Sequence, residues 1–453
     1  MMHGLASKAY NHLPIFFQNL YMGIESKKGK KNRYGNIYTS LLDELSAENG
    51  HACREDVQQK EMRSLLKHAI EKSHFYQKFY QGIEMESVQT LADLPMLPVV
   101  EREYVHQYIN KMHTVEDSHA VVFQSIDQQG IPLKFLFTGE DIQKRNAFMD
   151  LFKMQHGAIA REMKQAIFTS RPFVPKTQQK KVFWRDNLPE KIRFYSNYHC
   201  TRGNAEPYIQ NLNEFQPDFI NGTSAILYKL AIFLNRAQEK LEFTPKAVFL
   251  EGRIIEPAQK EEIEKAFNCP VRNHFAPSHE FPMLSECTEG KLHAHPRAGV
   301  IEFASDGEMI VTNFMSYGTP IIRCRTGVYA EMKKAMASCP CGSAQPVIEF
   351  RKEADSSYLH TVENAVVKVP QLDETGKEFS ESIKKMQFIQ NRKEVVDVFI
   401  EAEETYTNEL SEDIHDNLQS VFGHDMKFNI RVVEEMPYGS GQDFELIVNN
   451  LTT

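Results

Sequence analysis

"PKAVFLEGRIIEPAQKEEIEKAFNCPVRNHF", residues 245–275, is the stretch on which the fold turns. Its opening apolar run, Ala247 to Leu250, is bounded by Pro245 and Gly252, as a short buried strand would be. The charged segment "EPAQKEEIEKAFN" (256–268) has Pro257 near its start and predicts a helix; "CPVRNHF" (269–275) predicts a second strand. A strand, helix, strand unit implies parallel pairing, hence a doubly wound α/β layer.

Upstream, Ser224 is placed to cap a helix carrying Ile226, Leu227, Leu230, Ala231, Phe233 and Leu234. Downstream, "GVIEFA" (299–304), "EMIVTNF" (308–314) and "TPIIRCRTG" (319–327) read as antiparallel β structure. Composition shifts at "KEADSS" (352–357), which predicts a linker and divides the chain into 1–353 and 354–453. The second part gives a strand "VVDVFIEA" (395–402), a helix "NELSEDIHDNLQSVFG" (408–423) and a strand "KFNIRVVEEM" (427–436). Near the start, 61–80 predicts one amphipathic helix, and "LADLPMLPVVEREYV" (91–105) an extended connection before a polar helix start. The fold class expected is therefore α/β. A large multi-layer N-terminal domain with doubly wound sheets and a β subdomain is expected, followed by a small α+β C-terminal domain.

The chain has 453 residues, too many for one ordinary core, and a formal charge of −9, which argues against a nucleic-acid coat. "HLPIFFQNLYMG" (12–23) is too short and polar to span a bilayer, so no membrane span and a cytoplasmic location are expected. The basic runs "KKGKK" (27–31) and "KKVFWR" (180–185) read as solvated loops. Seven cysteines, an odd number spread over a long chain, make structural disulfides an unexpected device.

Three of those cysteines fall in two turns. "ECTEGKLH" (286–293) sets Cys287 and His293 around Gly290, and "ASCPCGSA" (337–344) sets Cys339 and Cys341 one residue apart. Three thiolates and one imidazole make a Cys3His tetrahedron suited to zinc. Four protein ligands leave no open position, so such a zinc is structural. His295 is an alternative to His293.

The helix ending "LLKHAIEKSHFYQKFY" (65–80), then "LPMLP" (94–98), "PDFINGTSAILYKLA" (217–231), an acidic residue before the "SEC" turn, "TPIIRCRTG" and the C-x-C-G turn together carry a likeness. The chain resembles the phenylacetate–CoA ligase and CapK-type branch of the adenylate-forming superfamily, and "LPIFFQNL…NRYG" is similar to the start of the CapK-type members. The resemblance implies activation of a small carboxylic acid by ATP and magnesium as an acyl-adenylate. Transfer to coenzyme A or a carrier-protein thiol follows, in surface polysaccharide or secondary metabolism. The resemblance also makes the small C-terminal domain mobile, and it places magnesium at Glu280 and the hinge arginine at Arg351, with Asp355 a candidate hinge residue. The nucleotide is assigned to Ser125, Gly130, Lys134, Arg323 and Thr326.

The nucleotide positions match the family pattern poorly. In the phosphate loop "SIDQQG" (125–130), only Ser125 and Gly130 have the expected character, and Asp127 sets a like charge beside phosphate. Val328 stands where the family has a ribose-binding aspartate, and Gln442 and Asp443 stand where it has a lysine. Two readings follow. The chain is an active carboxylate–thiol ligase with Lys134 covering phosphate, or a catalytically degenerate homologue that binds an acyl group, thioester or protein partner. A third uses His279 as base on an already activated thioester.

Overall fold

The computed structural model describes residues 10–48, 55–127, 129–178, 180–237, 241–252, 255, 257–275, 281–333, 339–351, 358–367, 381–437 and 444–451. The chain opens with α1 (Ile15–Arg33), α2 (Asn36–Glu48) and α3 (Glu55–Lys72). The single helix expected over 61–80 is broken at Ser73. Its hydroxyl accepts from the Tyr76 N–H at 3.4 Å and starts a separate α4 (His74–Phe79). The connection expected to be extended forms a 3-10 turn over Leu91–Met96, because Asp93 accepts from the Thr90 N–H at 2.8 Å, and α5 (Arg102–Met112) follows.

A hairpin of β1 (Val121–Ile126) and β2 (Pro132–Phe137) leads into α6 (Gly139–Gln155). The next layer runs β3 (Gln165–Thr169), β4 (Trp184–Asn187), β5 (Ile192–Ser196), α7 (Ala205–Phe215), β6 (Phe219–Thr223), α8 (Ser224–Ala237), β7 (Val248–Gly252), α9 (Pro257–Phe267) and β8 (Val271–Phe275), its strands parallel except β4, which is antiparallel to β5. The stretch 245–275 folds as expected: β7 and β8 pair in parallel from Val248↔Val271 to Gly252↔Phe275, with α9 between them. The sheet continues through β9 (Leu284–Glu286), β10 (Leu292–Ala294), β11 (Gly299–Phe303), β12 (Glu308–Asn313), β13 (Ile321–Lys333) and β14 (Val347–Phe350). The expected antiparallel runs are β11, β12 and β13, paired in that order. All these strands belong to one 12-stranded sheet, ordered β11-β12-β13-β14-β10-β9-β8-β7-β6-β3-β5-β4.

The C-terminal domain adds a small hairpin, β15 (Leu359–His360) with β16 (Val366–Val367), and a second sheet. That sheet is built from β17 (Ile383–Arg392), β18 (Val395–Ala402), β19 (Lys427–Val433) and β20 (Ile447–Asn449), ordered β19-β18-β17-β20, with α10 (Asn408–Phe422) between β18 and β19 in the chain. The boundary expected at 353 and 354 and the linker 352–357 lie outside the described residues.

The two domains meet along a continuous seam. The C-terminal core of Met386, Phe388, Val398, Ile414 and Leu418 takes in Ile126 and Ala225 from the large domain. Buried Lys229 on α8 reaches across to Glu363 at 3.2 Å and Asp425 at 3.1 Å, and donates to the Phe422 carbonyl. Burial raises the Glu363 carboxyl while Lys229 opposes that shift.

Candidate metal centre and the loop between β1 and β2

The turn after β9 brings Cys287 forward, and β10, antiparallel to β9 and β14, carries His293 opposite Val347. Each cysteine turn closes on a glycine with positive φ, Gly290 at 69° and Gly342 at 83°, and the Gly342 N–H donates to the Cys339 carbonyl at 2.7 Å. The ligand atoms of Cys287, His293, Cys339 and Cys341 lie within 4.8 Å of one another. Cys287 Sγ is 3.9 Å from Cys339 Sγ, and His293 Nε2 is 3.6 Å from Cys341 Sγ.

The surroundings fit a metal. His293 Nδ1 lies 2.9 Å from the Gln345 carbonyl oxygen, which fixes the proton there and turns the Nε2 lone pair toward the sulfurs. The Ser343 N–H donates to Cys341 Sγ at 3.4 Å, a contact that supports thiolate character. The donor set, three sulfurs and one nitrogen, suits a tetrahedral soft ion. His295 instead stacks edge-on against Phe148, with ring centroids 5.1 Å apart, outside this cluster.

The loop between β1 and β2 is organised around one buried acid. Asp127 Oδ1 accepts from the Gln129 and Ile131 N–H groups, both at 2.9 Å. Its own N–H donates to the Ile131 carbonyl at 3.1 Å, and the Gly130 N–H donates to the Asp127 carbonyl at 3.0 Å. Oδ2 meets His106, in a short contact, and Arg102 at 3.5 Å, both from α5. Burial alone would raise this carboxyl, but the His106, Arg102 and Ile131 contacts hold it below its ordinary value.

Gly130, with φ 77°, lies against the C-terminal domain: its carbonyl accepts from Met386 N at 2.8 Å, and any Cβ would fall on the Met386 carbonyl. Ser125 pairs with Leu133 in the hairpin. Lys134 on β2 is buried, and its ammonium bonds Asp117 at 2.9 Å and Glu381 of the C-terminal domain at 3.2 Å.

The remaining nucleotide candidates, Arg323 and Thr326, lie on β13, and the hinge candidate Arg351 follows β14. The Arg323 guanidinium makes a two-pronged pair with Glu302, both contacts at 2.9 Å, and donates to the Pro95 and Leu97 carbonyls. Thr326 is buried and donates to the Met309 carbonyl at 2.9 Å, while Val328 belongs to the hydrophobic core. Arg351 donates to the Asp306 carbonyl at 2.8 Å. The structure thus brings the four metal candidates together and leaves the nucleotide candidates in separate contacts. Glu280, with 276–279, lies outside the described residues, as do Asp355, Gln442 and Asp443. Sequence reasoning missed Arg102 and His106 as partners of Asp127, since nothing local ties α5 to a loop some twenty residues on.

Residues 359–450 match the CapK C-terminal domain family. Over 452 residues the chain is 27% identical to Protein CapK of Staphylococcus aureus, a match covering 98% of this chain and 99% of that protein. Among solved structures, 2-hydroxyisobutyryl-CoA ligase in complex with 2-HIB-AMP and CoA in the thioesterification state gives a TM-score of 0.55 at 13% identity, covering 88% of this chain and 90% of that one. An open conformation of the same ligase, also with 2-HIB-AMP and CoA, gives 0.51 at 14% identity over 87% and 91%. Among the described residues no helix is long and apolar enough to cross a membrane. The chain is thus similar to CapK along its whole length, matches the CapK C-terminal domain over 359–450, and shares its fold with a two-domain CoA ligase.

Proposed function

We propose that this protein keeps the body of an adenylate-forming ligase but does not itself activate a carboxylate with ATP. It binds an acyl group or acyl thioester, presented on coenzyme A or a carrier protein. One observation carries the reading: the N–H groups of Asp127, Gln129, Gly130 and Ile131 all donate within the loop, two of them to the Asp127 carboxylate. A phosphate at that loop would have to displace a buried carboxylate already held by Arg102 and His106. Lys134 lies between two carboxylates, so its charge is already answered. Preorganised donors of this kind are each worth roughly 10²–10³ in rate, and their joint loss removes the electrostatic basis of adenylation.

The thioester half of the reading rests on the shared fold with a ligase solved with CoA bound. The Cys3His cluster would hold a structural zinc, tying β9 and β10 to the turn before β14, and its four protein ligands would leave no position for chemistry. The test is calorimetry with ATP and magnesium, alongside carboxylate-dependent pyrophosphate exchange over a panel of aryl and short acyl acids. Absent ATP heat and background exchange are expected, with measurable heat from acyl-CoA. Robust exchange with any acid would restore the ligase reading and make Lys134 the first residue to replace.

A further inference from the structure

Two sequence features that play no part in this function come together on α1. Residues 15–23 of "HLPIFFQNLYMG" and all of "KKGKK" (27–31), expected as a solvated loop, lie on one 19-residue helix, about 28 Å long at the standard rise. Its outer surface carries Phe16, Phe17, Leu20 and Ile24, exposed at 71%, 50%, 52% and 45%. Large apolar side chains this exposed, and contiguous along one helix, mark an interaction surface. Beyond them, in the last two turns, come exposed Lys27, Lys28, Lys30 and Lys31. Lys28 is paired with Glu25 at 2.8 Å, whereas among the described residues no carboxylate pairs with the other three. This positive end stands on a chain whose formal charge is −9, so it is a local feature and not a consequence of composition.

The helix is a rigid platform. Its inner face packs on β4 and on the turn after it: Gln18 donates to the Tyr10 and Leu13 carbonyls and accepts from buried Arg185. Asn19 accepts from the Asp186 N–H at 3.1 Å, Gly23 lies against Pro189, and Arg33 pairs with Glu190 at 2.6 Å. The apolar residues therefore stay outside, where water meets them at a standing cost.

We propose that α1 docks this protein on the surface of an anionic lipid bilayer. Phe16, Phe17, Leu20 and Ile24 enter the boundary between headgroups and acyl chains, to a depth of about 5–10 Å, while the lysines meet lipid phosphates. Aromatic and aliphatic side chains beside lysines suit an apolar layer roofed by negative charge. A protein partner would have to supply both features on one surface. The helix lies on the membrane and does not cross it.

The test is co-sedimentation of the full chain with phosphatidylglycerol-containing vesicles and, separately, with neutral phosphatidylcholine vesicles. Binding is expected only to the anionic vesicles, weakening with added salt. A Phe16→Ser, Phe17→Ser variant and a Lys27→Glu, Lys30→Glu, Lys31→Glu variant should each lower partitioning about tenfold or more, with circular dichroism and melting unchanged because all these positions are exposed. Absence of binding, equal binding to both vesicles, or binding that both variants retain would overturn the proposal. A lipid-free dimer in sedimentation velocity that the phenylalanine variant converts to monomer would assign the face to a second copy and equally overturn it.

Discussion

The Cys3His turns and the loop between β1 and β2 are both short reversals closed by a glycine, yet they present opposite chemistry. In the metal turns the backbone stands behind the side chains: the Ser343 N–H and the Gln345 carbonyl brace Cys341 and His293 from outside, and the ligand atoms face one another. In the loop the side chain stands in front of the backbone. Asp127 gathers the N–H groups that a polyphosphate would need. The difference teaches that two turns of the same kind can aim their donors oppositely, toward a shared centre in one place and inward onto a buried carboxylate in the other.

The largest effect should come from breaking the metal side. Purified protein is expected to hold about one zinc per chain, and Cys339→Ser should drop this below a tenth and lower the Tm by at least about 5 °C, since structural zinc adds folding free energy directly. Elemental analysis and calorimetric melting measure both, and full zinc with unchanged melting would remove the site. Next, Asp127→Ala leaves Arg102, His106 and two loop N–H groups without their acceptor. A loss of about 3 kcal/mol in urea unfolding at neutral pH is expected; a loss under about 1 kcal/mol would show that the acid does not organise the loop.

The same variant predicts a pH dependence. Because folding depresses the Asp127 pKa, its stabilisation is fully present above the ordinary value of 3.8 and is lost as pH falls through the lower folded value, where wild type and variant should converge. The smallest effect belongs to Gly130→Ala, which combines a φ of 77° with contact on Met386. It should cost about 1–2 kcal/mol and loosen the seam between domains, seen as faster proteolysis; an unchanged digestion pattern would argue that Gly130 does not hold it.

What the sequence made legible was local. The β7, α9, β8 unit announced itself by a change of hydrophobic period, and the Cys3His cluster by two cysteine turns, which the structure brings together. The cap at Ser73 was missed, because the apolar spacing on either side of it runs on and masks the break between α3 and α4. The loop was half legible: Asp127 stood out as a charge hostile to phosphate, but its capture by α5 depends on packing that no local pattern encodes. Lys134 read as a free cation for the same reason. Its partner Glu381 lies 247 residues away, and only the docking of the C-terminal domain brings it near.

The spacing of the Cys3His residues bears on the order in which this chain assembles. Cys287 and Cys339 are 52 residues apart, and between them run β10 to β13, so β14 must return across that whole span to pair with β10. Closing a flexible segment of that length costs on the order of 3.5 kcal/mol in chain entropy. An ion grasped early by both turns would remove that search before the strands meet. Metal supply during synthesis would then govern the speed of maturation, and a starved cell would accumulate slow chains before it accumulated unstable ones.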